Sequence, residues 1–304
     1  MFSFEVAAVL ILTLSLLGVF GNVNILVATY RLKPRVRSNL LIGMLAFCDL
    51  ICILFELQNA VRLLFRIDSY RRGCFWTISP YLVMIVCQSY LMTALAFDRL
   101  YALASPMKYQ KGNIPLYLFL CLLPGLICGT FLLFYGALNL DNQQIPVCNP
   151  PLAFPPFVSL LWNKVTIASL CLTLVGYGSA FSVLVLKRSH IKVLSPTDPN
   201  CIILKAQQKV TKSLGIMTLA FVLSGCSSHV DIYVIRWFHF SENVEQIYIS
   251  LQVIPAMLCY SQNYYVYFCC SKTYREVFLE QLRWLLKCEN TKTRVYSLKN
   301  GQTA

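Results

Sequence analysis

Charge is scarce in this 304-residue chain: only 13% of its residues are Asp, Glu, Lys or Arg, roughly half the share found in soluble domains. That leaves too little polar surface to coat a water-soluble globule, and a hydrophobic content of 57% excludes disorder as well. Histidine is scarcer still. The only three, His190, His229 and His239, have no metal-ligand spacing among them, which leaves zinc chemistry without a ligand set. No Gly-x-Ser-x-Gly is present either. The chain therefore reads as a non-enzyme without a cofactor or a resident metal. No Asn-x-Ser/Thr sequon occurs, which argues against a large glycosylated binding ectodomain. The start, Met1-Phe-Ser-Phe-Glu5, lacks a basic n-region and a small-residue cleavage site. The apolar run that follows is too long for a signal-peptide core and is expected to remain as an anchor.

What is abundant is apolar sequence in long blocks. A helix needs about 20 mostly apolar residues to cross the hydrocarbon core. Seven stretches qualify: Val6–Tyr30, Asn39–Phe65, Phe75–Phe97, Ile114–Leu138, Phe157–Leu186, Ser213–Ile235 and Gln246–Cys270. They carry few charges, namely Asp49, Glu56 and Arg62 in the second, Lys164 in the fifth and Asp231 in the sixth. The solvent of this chain is the lipid bilayer. Its expected fold is all-α, a seven-transmembrane helix bundle over residues 1–288, with a cytoplasmic tail at 289–304.

A net charge of +13 would suggest nucleic acid in a soluble protein. Here the basic residues instead report orientation, and no nucleic-acid partner is implied. With the N-terminus outside, the inner segments are residues 31–38, 99–113, 187–212 and everything after Cys270. These segments hold 20 of the 26 basic residues. The positive-inside rule thus places the N-terminus outside and the C-terminus in the cytosol. An odd number of spans and the lack of any repeat between halves disfavour an inverted-repeat transporter.

Ionisable groups at membrane depth are costly and usually face the bundle interior. Asp49 lies mid-span in Leu45-Ala46-Phe47-Cys48-Asp49-Leu50, and Asn22 lies deep in the first span. Asn263 and Tyr267, four apart, share a face of the last span. Together they suit a polar core linking spans one, two and seven. Its role is either structural, through interhelical hydrogen bonds, or one of switching. Asp98-Arg99 ends an otherwise uncharged third span. A snorkelling Arg anchor is the plain reading of such a residue, but two adjacent opposite charges are harder to explain that way.

Most of the 14 cysteines sit inside apolar runs and read as small hydrophobes. Cys74 and Cys148 are the two expected in outward-facing segments. Oxidising surroundings favour a disulfide between them, the alternative being two free thiols. Tyr274, Phe278, Leu282 and Leu285 recur at helical spacing after the last span. That pattern predicts a short amphipathic eighth helix over residues 271–287, lying on the bilayer. Cys288 at its end is either a palmitoylation site or a free cytosolic thiol.

Taken in order, these residues resemble the rhodopsin-like (class A) G-protein-coupled receptors from Gly21-Asn22 to about Leu286. The matching features are Gly-Asn in span one, Leu-Ala-x-x-Asp-Leu in span two and the Cys74-to-Arg99 interval. Further along come Asp98-Arg99-Leu100 for Asp-Arg-Tyr, Pro106 and Tyr109 in the second inner loop, and Asn263-Tyr264-Tyr265-Val266-Tyr267 for Asn-Pro-x-x-Tyr. Ser271-Lys272-Thr273-Tyr274-Arg275 resembles the start of the family's eighth helix. There are departures: Leu100 replaces Tyr, Tyr264 replaces Pro, span four lacks the family's Trp, and span five has no central proline. Tyr177 matches the family's tyrosine in span five. The Cys-Trp-x-Pro motif of span six is missing, the chain reading Ser224-Gly225-Cys226-Ser227 after Phe221. Gln207 or a neighbour stands where an acidic partner for Arg99 is expected. With Glu56-Leu-Gln-Asn59-Ala-Val-Arg62-Leu and Cys148-Asn-Pro-Pro151, the chain is most similar to the nematode serpentine chemoreceptors of the srsx type.

That resemblance implies a receptor in the plasma membrane, in sensory-neuron cilia. It would couple an extracellular small-molecule ligand to a heterotrimeric G protein, with Asp98, Arg99, Tyr177, Asn263 and Tyr267 at the coupling and switch end. The default ligand site is an outward-opening interhelical pocket, with Glu56, Asn59, Tyr81, Gln88, Lys164, His229, Asp231 and Gln252 as candidate lining. Lys164 and Asp231 are expected to pair across it or to contact ligand. The family's amine receptors carry an Asp five turns outward of the motif Arg. Here that position is Tyr81, which disfavours an amine, and the lack of Lys in the last span excludes a retinal Schiff base. A peptide ligand on the same scaffold is the alternative. From another class, a transporter or channel is the competitor, although Asp49, Glu56 and Lys164 make only a discontinuous set of pore charges.

Overall fold

In hydrocarbon every backbone N–H and C=O needs an internal partner, and a helix supplies one within the segment. The computed structural model describes residues 2–32, 36–191, 199–238 and 253–287. In chain order it forms α1 (Phe2–Arg31), α2 (Arg37–Leu64), β1 (Ser69–Tyr70), α3 (Arg71–Thr77), α4 (Ser79–Ala104), α5 (Pro106–Lys111) and α6 (Ile114–Leu138). These are followed by β2 (Gln144–Ile145), α7 (Pro150–Ala153), α8 (Pro156–Ile191), α9 (Pro199–Phe238), α10 (Val253–Cys270) and α11 (Lys272–Lys287). The seven long helices among the described residues are α1, α2, α4, α6, α8, α9 and α10. Among the described residues five of them, α1, α2, α4, α6 and α8, are long and apolar enough to cross a membrane. The sixth expected span falls within α9. Residues 253–270 of the seventh form α10, and residues 246–252 lie outside the described residues.

The third long helix does not begin at Phe75, as the apolar run suggested, but at Ser79. Pro80 explains the break, because proline lacks an N–H and is favoured in the first turn of a helix. Residues 71–77 instead form the separate helix α3. Asp98-Arg99 consequently lies inside α4, which continues to Ala104, and not at its end.

The bundle closes as a ring around α4. Helix α1 packs on α2 and α10, α9 packs between α8 and α10, and α4 touches α2, α6 and α8. The apolar stretch of α4 is 67% buried, whereas that of α6 is 17% buried and presents most of its surface outward. Hydroxyl groups help to join α4 to α8: Thr93 Oγ1 meets the Thr173 and Ser169 hydroxyls at 2.9 Å each, and Ser169 Oγ donates to the Ser89 carbonyl at 3.0 Å. Small residues allow close approach elsewhere, a recurrent device in membrane helices. A Cβ added at Gly21 would sit 2.7 Å from Tyr264 Cβ, so α1 and α10 meet nearly backbone to side chain. Gly21→Val is expected to cost about 1–3 kcal/mol through overpacking. Thermal unfolding of the detergent-solubilised protein would show this as a lowered Tm, and an unchanged Tm would contradict the close packing.

Helix α11 lies across the inner end. Tyr274 and Phe278 are buried against α10, with Phe278 4.4 Å from the Tyr264 ring and Tyr274 stacked on Tyr267 at 4.8 Å. Leu282 and Trp284 face outward. The apolar face read from the sequence is therefore shared between protein contact near the start of the helix and outward exposure near its end. Cys288 lies outside the described residues.

Candidate functional site

At the outer end the loops are tied down before any pocket is formed. Cys74 and Cys148 are joined by a disulfide with Cα atoms 5.5 Å apart, as their outward placement suggested. β1 pairs antiparallel with β2, Ser69 opposite Ile145. Buried Arg71 forms an ion pair with Asp141, and its Nε donates to the Leu152 carbonyl at 3.1 Å. In the Cys148-Asn-Pro-Pro stretch, Asn149 Oδ1 caps α7 by accepting from the Leu152 N–H at 3.2 Å. The prolines then occupy the first helical positions. The loop so braced brings Asn149, Pro150 and Pro151 over the bundle mouth, where they line a narrow interhelical cavity of about 60 Å³.

Beneath that lid, Glu56 on α2 is fully buried and joins three helices. Its Oε1 accepts from the Tyr81 hydroxyl at 2.7 Å and its Oε2 from Asn59 Nδ2 at 3.1 Å. The Tyr81 and Tyr260 hydroxyls lie 3.2 Å apart, which carries the chain of hydrogen bonds to α10. Glu56, Tyr81, Gln88 and His229 line the cavity. So do Trp162, Thr166 and Phe221, which the sequence reading did not single out. Trp162 was detectable as a large aromatic beside a polar pair within a span.

Two candidates differ from expectation. Lys164 is exposed and is not part of the cavity lining. One position back, Asn163 is fully buried and supplies the link between α8 and α9: its Oδ1 lies 2.5 Å from His229 Nδ1 and its Nδ2 donates to the His229 carbonyl at 3.3 Å. Consecutive helical residues point about 100° apart, and here that step carries Lys164 to the exposed side while Asn163 stays buried. Burial then favours the neutral amide over the ammonium. Asn59 belongs to a second, outer cavity and not to the deep one. The side chain of Asp231 and the whole of Gln252 lie outside the described residues.

The mid-membrane polar core also has a different membership. Asp49 Oδ1 accepts from Gln88 Nε2 at 2.5 Å and Oδ2 from Asn263 Nδ2 at 2.6 Å. The carboxylate thus links α2, α4 and α10, and Gln88 serves both this core and the cavity above it. Asn22 does not reach Asp49. Its amide donates to the Tyr260 carbonyl at 2.9 Å and to the Gly18 carbonyl at 3.0 Å, binding α1 to α10 by a separate route. Tyr267, four residues beyond Asn263, is buried with a hydroxyl that has no hydrogen-bond partner among the described residues.

At the inner end Arg99 is buried and paired with Asp98, Nε to Oδ2 at 3.0 Å. Tyr109 on α5 reaches both: its hydroxyl accepts from Arg99 Nη2 at 3.1 Å and lies 3.0 Å from Asp98 Oδ1, to which it donates. Burial pushes the Tyr109 phenol above its usual range, which keeps its proton available for that bond. Tyr117 on α6 donates to the same carboxylate oxygen at 3.0 Å. Arg37 lies 4.9 Å from the Tyr109 ring and 4.8 Å from the Tyr117 ring, a cation–π contact on each. This cluster restrains Arg99 through α4, α5 and α6 without an acid from span six. Tyr177 on α8 is buried nearby, where α8 faces Gly215 of α9.

A lidded deep cavity, a buried polar core and a restrained inner arginine are thus stacked along one bundle. No curated protein matches this chain. A family model described as serpentine type 7TM GPCR chemoreceptor Srsx matches residues 15–282, from the middle of α1 to near the end of α11. The protein is a multi-pass membrane protein and belongs to the Srsx family of serpentine seven-transmembrane G-protein-coupled chemoreceptors.

Proposed function

We propose that this chain is a chemosensory receptor of the plasma membrane, in sensory cilia, that takes a small ligand in the lidded cavity and promotes nucleotide exchange on a heterotrimeric G protein at its inner face. The observation that carries this reading is the axial continuity from cavity to core. Gln88 lines the cavity and also holds Asp49, which in turn holds Asn263. A ligand that changes the setting of Gln88 therefore acts directly on the junction of three helices. To shift the population it must bind the active arrangement more tightly than the resting one.

The lining suits a small, largely apolar molecule with one or two polar groups. Ile85, Leu170, Phe221 and Val253 form its apolar wall, and Ser228, Thr166 and the Tyr81 hydroxyl offer hydrogen bonds. The Glu56 carboxylate is already satisfied by Tyr81 and Asn59, in keeping with a ligand that need not be an amine.

Filling the cavity tests this without removing a polar partner. Gly225 lines it, and a Cβ there would meet Leu170 at an ordinary 3.4 Å. A panel of odorants, pheromone-like lipids and short peptides is screened on cells expressing the receptor with G-protein subtypes, to find an agonist. Gly225→Leu should then raise that agonist's EC50 by at least about tenfold, the scale of roughly 1.4 kcal/mol, with surface expression unchanged. An unaltered EC50 would place the ligand elsewhere.

A further inference from the structure

The outer cavity is a separate space. It measures about 500 Å³ and lies between the outer ends of α1 and α2 and the strand segment that leads into Cys148. It shares no lining residue with the deep cavity. Glu56 and Asn59, hydrogen-bonded to one another, line one cavity each.

Its charged groups are Glu5, Arg62, Arg66 and Asp68. Glu5 and Arg66 are paired at 3.2 Å on the exposed rim. Asp68 is exposed to water and accepts from the Gln144 amide at 3.4 Å. Arg62 differs, because its Nη1 is buried and no hydrogen-bond acceptor meets it among the described residues. One turn earlier on the same face, Asn59 is 4% exposed, and its Oδ1 is buried with no donor meeting it. A buried guanidinium nitrogen and a buried amide oxygen left unmade are each costly, and here both belong to residues that line one cavity. Leu63, Ile145 and Val147 give that cavity an apolar wall.

We infer that this vestibule is a binding site for a small carboxylate that carries a hydroxyl or ammonium donor on the adjacent carbon and an apolar side chain beyond it. The carboxylate meets the Arg62 guanidinium in a charge-assisted pair. The neighbouring donor satisfies Asn59 Oδ1, and the side chain lies against Leu63 and Val147. The Asn59–Glu56 bond then connects the occupied vestibule to the floor of the lid.

The test is direct binding to the full-length receptor in lipid nanodiscs, by saturation-transfer NMR and calorimetry, which requires no G protein and no agonist for the deep cavity. Four probes of similar shape separate the groups: L-leucine, 2-hydroxyisocaproate, 4-methylpentanoate and leucinamide. L-leucine or 2-hydroxyisocaproate should bind at least about tenfold more tightly than 4-methylpentanoate, which lacks the donor, and than leucinamide, which lacks the carboxylate. Comparison of the first two identifies the donor as ammonium or hydroxyl. Arg62→Gln should weaken binding at least about tenfold, and Arg62→Lys, which keeps the charge, should weaken it less. Gly225→Leu, in the deep cavity, should leave it unchanged. A melting curve for each variant separates lost binding from lost folding. Equal binding of acid and amide, or full binding by a folded Arg62→Gln protein, would overturn the assignment.

Discussion

Arg99→Ala is expected to abolish agonist-driven G-protein activation while the receptor still reaches the cell surface. The guanidinium is buried among Asp98 and Tyr109, close to Tyr177 and below Tyr267. In the proposed mechanism its removal takes away the cation that would leave Asp98 and enter an opened inner cleft. Truncating one member of a buried ion pair also leaves the other without its counter-charge, a cost of about 3–5 kcal/mol in soluble proteins. In this cluster Tyr109 and Tyr117 continue to donate to Asp98, which limits that loss. The paired variant Tyr109→Phe should act in the opposite direction. It removes the hydroxyl that bonds both Asp98 and Arg99, so basal nucleotide exchange should rise. Surface labelling and GTP-analogue exchange on the same cells measure both effects. Normal signalling by Arg99→Ala would remove the inner cluster from the mechanism.

Cys148→Ser should produce the second large effect, on folding and ligand response together. The disulfide spans 74 residues of sequence and anchors the segment that continues into Asn149, Pro150 and Pro151, the lid of the deep cavity. Loss of a native disulfide costs about 2–5 kcal/mol. Arg71, through Asp141 and Leu152, together with the β1–β2 pair, holds the same loop by other means. The loop should therefore loosen without the bundle coming apart. The measurements are melting temperature, surface abundance and agonist EC50, all expected to deteriorate. Cys74→Ser should match Cys148→Ser, and the double variant should be no worse than either alone, since one bond is being removed. Additive losses would show that the cysteines act independently.

The features legible in the sequence are those set by one-dimensional patterns. Long apolar blocks and an excess of basic residues in alternate loops specify a multi-helix bundle and its orientation. Cys74 and Cys148 could be paired because so few cysteines lie outside the apolar blocks. Asp49 was recognisable as a polar core residue because a carboxylate has few tolerable places in hydrocarbon. Asn263 was placed in the same core, but the other partner was not. Gln88 reads as a lining residue of the ligand pocket, and only the approach of α2 to α4 shows that it also donates to Asp49. Lys164 and Asn163 are adjacent, and a choice between them depends on how α8 is rotated against α9. The Ser-Pro start of α4 was present in the sequence, but the apolar run through Phe75 and Trp76 masked it. Tyr109 was noted through its motif position, yet its bond to Asp98 depends on the short α5 helix folding back beneath α4.

The junction of α1 and α10 has a mechanical consequence. Asn22 grips the Tyr260 carbonyl, the Ser261 hydroxyl donates to the Leu14 carbonyl at 3.1 Å, and Gly21 admits Tyr264 against the α1 backbone. Three attachments over little more than two turns make these helices a single lever. Any tilt of α10 during signalling must carry α1 with it, so the first helix travels as ballast instead of serving as a fixed post.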